Sequence, residues 1–105
     1  MKAITLDDVI KKNLKDPEFR KLYEKEQLIN AIAQMVLQMR KNAGLTQLQL
    51  AKKAHTTQPV IARLESGKDS RTPSLDLLMK IAEATGFKIN LITEQAAQDF
   101  VFKPF

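Results

Sequence analysis

The chain has no cysteine, so neither a disulfide framework nor a thiolate metal site organises it, and a reducing compartment suits it. Its one histidine, His55, has no carboxylate cluster beside it in the sequence, and the usual ligand set for zinc is therefore missing. No stretch approaches the ~20 consecutive apolar residues of a membrane-spanning helix. The opening residues, MKAITLDDVIKKN, have no apolar run of the secretory type, so a cytoplasmic protein is the expectation. No glycine-rich loop and no Ser/His/Asp set stands at a spacing that would cradle phosphate or activate a nucleophile. Asp7 and Asp8 are adjacent, but neighbouring helix positions do not face each other, and first-turn placement accounts for both. Neither catalysis nor a cofactor is expected.

What is present is an ordinary globular composition, 44% hydrophobic and 28% charged, in 105 residues, which is enough for one domain with one core. The net charge of +5 is unevenly placed. Residues 40–71 hold Arg40, Lys41, Lys52, Lys53, Arg63, Lys68 and Arg71 against only Glu65 and Asp69, which equals the whole excess. A basic stretch confined to one segment is the footprint expected for a polyanion, although a solvated basic face is the plainer alternative.

Helical periodicity runs through most of the chain. Thr5 with Leu6-Asp7-Asp8 reads as an N-cap with an acidic first turn. Asp16, Pro17 and Glu18 mark a second helix start, and the pattern then continues to about residue 43, with Phe19, Leu22, Tyr23, Leu28, Ile29, Ile32, Met35, Val36 and Met39 as candidates for burial. The charged stretch RKLYEKEQ is either a break or an exposed mid-portion. Gly44 closes the segment. Thr46 caps a short helix to about Lys53, His55-Thr56-Thr57 is a turn, and a further short helix with Pro59 in its first turn runs to Glu65. Thr72-Pro73 opens a last helix, with Leu75, Leu78, Ile81 and Ala82 inward, which Gly86 ends. Beyond it, Phe87, Ile89 and Leu91 alternate with polar residues as in a half-buried strand, which needs a partner edge. Phe100, Phe102 and Phe105 then crowd the tail, to pair back on that strand, form a satellite cluster or meet another protein.

Two helices too short to stand alone, joined by a tight polar turn, make sense if they lean on each other and on a third. In a helix-turn-helix the second short helix then presents its outer face to a DNA major groove. Leu45, Leu50, Ala51, Ile61 and Leu64 occupy the inward positions, while Leu48 faces away from Leu50 and Ala51. Gln58, Ala62 and Arg63 fall opposite Ile61 and Leu64. Arginine pairs with guanine O6 and N7 and glutamine with adenine N6 and N7, each pair contributing ~1–3 kcal/mol of discrimination.

Over residues 44–86, GLTQLQLAKKAHTTQPVIARLESGKDSRTPSLDLLMKIAEATG, the chain closely resembles the XRE/Cro family of lambda-repressor-type DNA-binding domains. The resemblance implies a mainly α bundle that binds double-stranded DNA. It places Thr57, Gln58, Ala62 and Arg63 on the base-reading helix, and Thr46, Gln47, Lys68 and Arg71 at backbone phosphates. It also implies a structural ion pair between Arg40 and Glu65. Two positions depart from the family pattern. His55 stands where glycine is usual, and Pro59 replaces a common polar base contact, which shifts the reading toward Arg63, Gln58 and DNA shape.

The flanks, LKDPEFRKLYEKEQ before the domain and the expected strand after it, resemble those of HigA-like antitoxins. That resemblance implies a protein partner, a RelE/ParE-type (HigB-like) ribonuclease toxin, and repression of a shared operon. The expected organisation is a helical N-terminal arm over residues 1–29, a helix-turn-helix domain over 30–86, and a C-terminal β-strand and tail over 87–105. A homodimer on a palindromic operator is expected, with Phe87, Ile89 and Leu91 pairing across the axis or with a partner's sheet edge. Three readings remain open on the residues alone: an antitoxin repressor, a stand-alone phage-type or metabolic repressor, and an adaptor whose basic patch takes RNA or an acidic protein.

Overall fold

A computed structural model describes Ala3 and residues 5–95, and over that span the chain forms five helices joined by short turns. They are α1 (Leu6–Asn13), α2 (Pro17–Asn42), α3 (Gln47–Lys53), α4 (Gln58–Ser66) and α5 (Leu75–Thr85). Most start where a side-chain oxygen takes over an otherwise orphaned backbone N–H. Thr5 Oγ1 accepts from Asp8 N–H and Asp8 Oδ2 accepts from Thr5 N–H, both at 3.1 Å, a reciprocal capping box. Thr46 and Gln49 form a second one at the start of α3. Asp16 caps α2 through Glu18 N–H, with Pro17 as the first helical residue. Thr57 takes the extended N-cap conformation of α4 but makes no side-chain cap bond, and Pro59 removes one of the N–H groups that would need one.

The last helix begins two residues later than Thr72-Pro73. Ser74 Oγ accepts from Leu77 N–H at 3.1 Å, so the cap is serine and the Thr-Pro pair stays in the loop.

Three helices end in the same way. After α2, Gly44 donates to the Lys41 carbonyl and Leu45 to that of Arg40; after α5, Gly86 donates to Glu83 and Phe87 to Ala82. This pair of bonds needs a left-handed residue, and both glycines supply it. After α3 the same bonds run from His55 to Lys52 and from Thr56 to Ala51, with His55 at φ +57°. A non-glycine residue there costs roughly 1–2 kcal/mol.

That helix end also corrects the expected C-terminal strand. Residues 87–95 contain none, and no other strand exists among the described residues to supply a ladder. Phe87 is used to close α5. Ile89 packs against the core, while Phe87 and Leu91 stand exposed. The alternation is real, but alternation alone cannot provide the hydrogen-bonding edge a strand requires. Phe100, Phe102 and Phe105 lie outside the described residues.

The core lies between the C-terminal part of α2 and the three helices after it. Val36, Leu50, Ile61 and Ile81 are fully buried, one from each of α2, α3, α4 and α5. Each such side chain contributes about 1.5–3 kcal/mol by leaving water. Ala51 and Ala54 are small where α3 meets its neighbours, which lets the helices approach closely. Leu45 and Leu64, expected inside, flank this cluster and are half-buried.

RKLYEKEQ is not a break: α2 is one helix of 26 residues, ~39 Å long at 1.5 Å per residue. Only Ile29, Ala33, Val36 and Met39 on it are buried. Leu22 and Leu28 are exposed, as are Leu6 and Val9 of α1. Among the described residues no helix is long and apolar enough to cross a membrane.

Candidate nucleic-acid interface

The outer face of α4 is bounded on its two sides by different polar networks. On the α3 side, Arg40 of α2 grips Glu65 with two hydrogen bonds, Nε to Oε2 at 2.7 Å and Nη2 to Oε1 at 2.9 Å. Its third nitrogen, Nη1, donates to the Leu45 carbonyl at 2.9 Å, so one guanidinium joins α2, the loop before α3 and the end of α4. The two side chains are 16% and 6% exposed, and this planar two-point pair is the strong form of the interaction. Hydrogen bonding to Glu65 holds the Arg40 pKa above its usual value, against a smaller opposing effect of burial.

The network continues outward. Gln47 Nε2 donates to Glu65 Oε1 at 3.2 Å, and Gln58 Nε2 donates to Gln47 Oε1 at 2.9 Å. Gln47 and Gln58 are the first residues of α3 and α4, so a line of bonds runs from the scaffold arginine to the tip of α4. One N–H of Gln58 is committed to Gln47. The other N–H and the oxygen remain for a base edge, the donor–acceptor pair that adenine N7 and N6 require.

Arg63 belongs to the other side. It lies roughly 140° around the helix from Gln58 at ~100° per residue, so the two stand at opposite edges of the broad outer face. Its Nε is 3.4 Å from Asp69 Oδ2. Asp69 is held more tightly by Arg71, which donates its backbone N–H at 3.0 Å, Nε at 3.1 Å and Nη2 at 3.0 Å. These bonds, led by those from the Arg71 side chain and then its N–H, hold the Asp69 carboxyl down at about 2, with Arg63 adding a smaller pull. Between the two shoulders lie Pro59, Ala62 and Ser66, a strip of short side chains over which another backbone or a base edge can come close. Gly67 is next in the chain, with its left-handed φ of +68°; a Cβ there would stand 2.7 Å from Asn30 Oδ1, so glycine lets the loop pass close to α2.

Among the remaining expected contacts, the Thr46 hydroxyl is occupied as a cap, Thr57 is exposed at the entry to α4, and Lys68 is exposed on the loop. Lys52 and Lys53, in the last turn of α3, are exposed as well. Sequence reasoning did not single out Asp69. The available signal was an acid two residues before an arginine, in a loop otherwise read only for its positive charge.

A short helix seated on a second one, with its outer face bearing an amide and a guanidinium amid exposed lysines, is the arrangement of a DNA-reading helix-turn-helix. Residues 36–92 match the helix-turn-helix family model, of XRE type, and the chain belongs to that family of sequence-specific DNA-binding regulators. No curated protein matches the chain, and no solved structure does.

Proposed function

We propose that this protein is a cytoplasmic transcriptional repressor, not an enzyme, which reads a palindromic operator as a dimer and serves as the antitoxin of a RelE/ParE-type toxin. The DNA-reading part rests on the bond line from Arg40 to Gln58 and on Arg63 at the opposite shoulder of α4. Thr57 and Ala62 complete the base-facing set, with Thr46, Gln47, Lys68 and Arg71 toward phosphate. Dimerisation fits Leu75, Met79, Phe87 and Leu91, which line one apolar groove along α5 and the segment after it. A dimer doubles the contact on half-sites about one turn apart.

The antitoxin part is carried by one observation: the arm holds exposed apolar side chains, Leu6, Val9, Leu22 and Leu28, that the core does not use. Surplus apolar surface outside a DNA-binding bundle is what a protein partner covers. The test is bacterial growth on inducing the adjacent reading frame, alone and with this protein supplied. Arrest alone and recovery together are expected, with recovery lost when residues 1–29 are deleted. Absence of arrest would remove the antitoxin role and leave a stand-alone repressor.

A further inference from the structure

We propose that Asp69 is the positioning residue for Arg63, steadying its guanidinium from the Nε side so that the terminal amino groups serve as a guanine-reading fork. The inference rests on the DNA-reading function proposed above and adds to it a specificity determinant that does not itself touch a base.

Arg63 is the one arginine on α4, and its side chain is half exposed. A free arginine at such a position carries ~2 kcal/mol of rotamer entropy, much of which is lost when the fork is fixed against a base. Restraint before binding reduces that loss. The contact to Asp69 is an ion pair made by Nε at 3.4 Å, and among the described residues the Arg63 side chain makes no hydrogen bond, so its two terminal amino groups are open. Those are the groups that guanine O6 and N7 take.

Asp69 itself is anchored independently of Arg63. Arg71 gives it three hydrogen bonds, one from the backbone, so the carboxylate is fixed by its own turn and stays charged. A firmly held acceptor can orient a looser donor; the reverse would not work. The same carboxylate is one of only two acids among residues 40–71, and the other, Glu65, is occupied by Arg40. A fixed negative charge at the rim of a basic surface weakens indiscriminate phosphate attraction. Asp69 thus acts twice in the same direction, favouring the right base and disfavouring any duplex.

The experiment selects binding sites for the full-length protein from a randomised duplex pool, then repeats the selection with R63A and D69N and measures each against the unselected pool. Arg63→Ala is expected to erase a guanine preference at one position of each half-site. Asp69→Asn is expected to weaken preference at that same position about tenfold, to bind the unselected pool more tightly, and to keep the melting temperature of the parent. Combining the two changes is expected to cost no more discrimination than R63A alone.

If the parent selects no sequence, the DNA-reading function fails, and this inference with it. If the parent and R63A behave as expected while D69N keeps the guanine preference, DNA reading stands and the positioning role is overturned. A D69N loss spread evenly over all positions, with a lowered melting temperature, would overturn it too, because the loop would then be a structural element only.

Discussion

The two ends of α2 belong to different regimes. From Ile29 onward one face of it, Ile29, Ala33, Val36 and Met39, is buried beneath the later helices while Met35 on the outer side stays exposed; before Ile29, equally apolar residues stay in water, with Leu22 63% exposed and Leu28 58%. The helix itself does not distinguish the halves, since Asp16 and Pro17 start it with a side-chain cap well before the packed half begins. Burial is therefore decided by where the later helices pack back onto α2, not by local pattern. The packed half is enclosed by those helices, whereas the arm is helical without being enclosed. Phe19 and Tyr23, whose rings stack at 6.2 Å, and the bond from Gln27 to the Tyr23 hydroxyl give this half of α2 side-chain contacts of its own.

The contrast predicts a large asymmetry in stability. Ile61→Ala opens a cavity where the three domain helices converge on α2, and it should cost ~2–5 kcal/mol, as truncations of buried isoleucine and leucine do. Leu22→Ala should stay within ~0.5 kcal/mol, the range of substitutions away from the core. Urea unfolding of both variants checks the pair. A loss at Leu22 comparable to that at Ile61 would mean that the arm is enclosed by a second copy of the chain, since a single copy leaves Leu22 exposed.

Smaller, and confined to the packed half, is the effect of Glu65→Ala. Arg40 would lose both of its carboxylate bonds while remaining largely covered, at a cost of about 1.5–3 kcal/mol, the usual range for hydrogen bonds to a charged group. The substitution has a second readout. Gln47 loses its acceptor on Glu65, so Gln58 loses the support behind it, and operator affinity should fall further than a matched loss of stability explains. Calorimetric melting alongside DNA titration separates the two. If affinity simply tracks stability, the bond line is scaffold alone.

The same division separates the features legible in the sequence from those that are not. Caps are legible because the capping residue and its helix are neighbours in sequence: Thr5, Asp16 and Thr46 all take the positions expected of them. The inward set of Leu50, Ala51 and Ile61 is legible because two short helices leave few choices. The features that escape depend on a partner elsewhere. Phe87, Ile89 and Leu91 have the alternation of a strand, but the described chain offers no second edge, and Phe87 is taken by the end of α5. The start of α5 is ambiguous in the sequence because Pro73 and Ser74 are each good opening residues, and only the hydroxyl bond to Leu77 decides between them. Periodicity alone already sets Arg63 about 140° around α4 from Gln58, but it gives no sign of Asp69, six positions on in the loop, as the partner at that shoulder.

The smallest expected effect lies inside the packed half and limits the idea that everything there is tuned for stability. His55 ends α3 with the same two bonds that Gly44 and Gly86 use, at φ +57° against +69° and +80°. Its side chain is exposed, and the αL penalty of ~1–2 kcal/mol falls on it alone of the three. Glycine would remove that strain but loses more freedom on folding, by roughly 0.5–1 kcal/mol. His55→Gly should therefore stabilise by about 0–1.5 kcal/mol, read as a small rise in the urea midpoint at an unchanged slope. The turn sets how α4 stands on α3, so the same variant should leave the selected DNA sequence unchanged. A stabilised protein with altered sequence preference would instead show that histidine is held there for the DNA, and that the strain at the turn belongs to the reading surface.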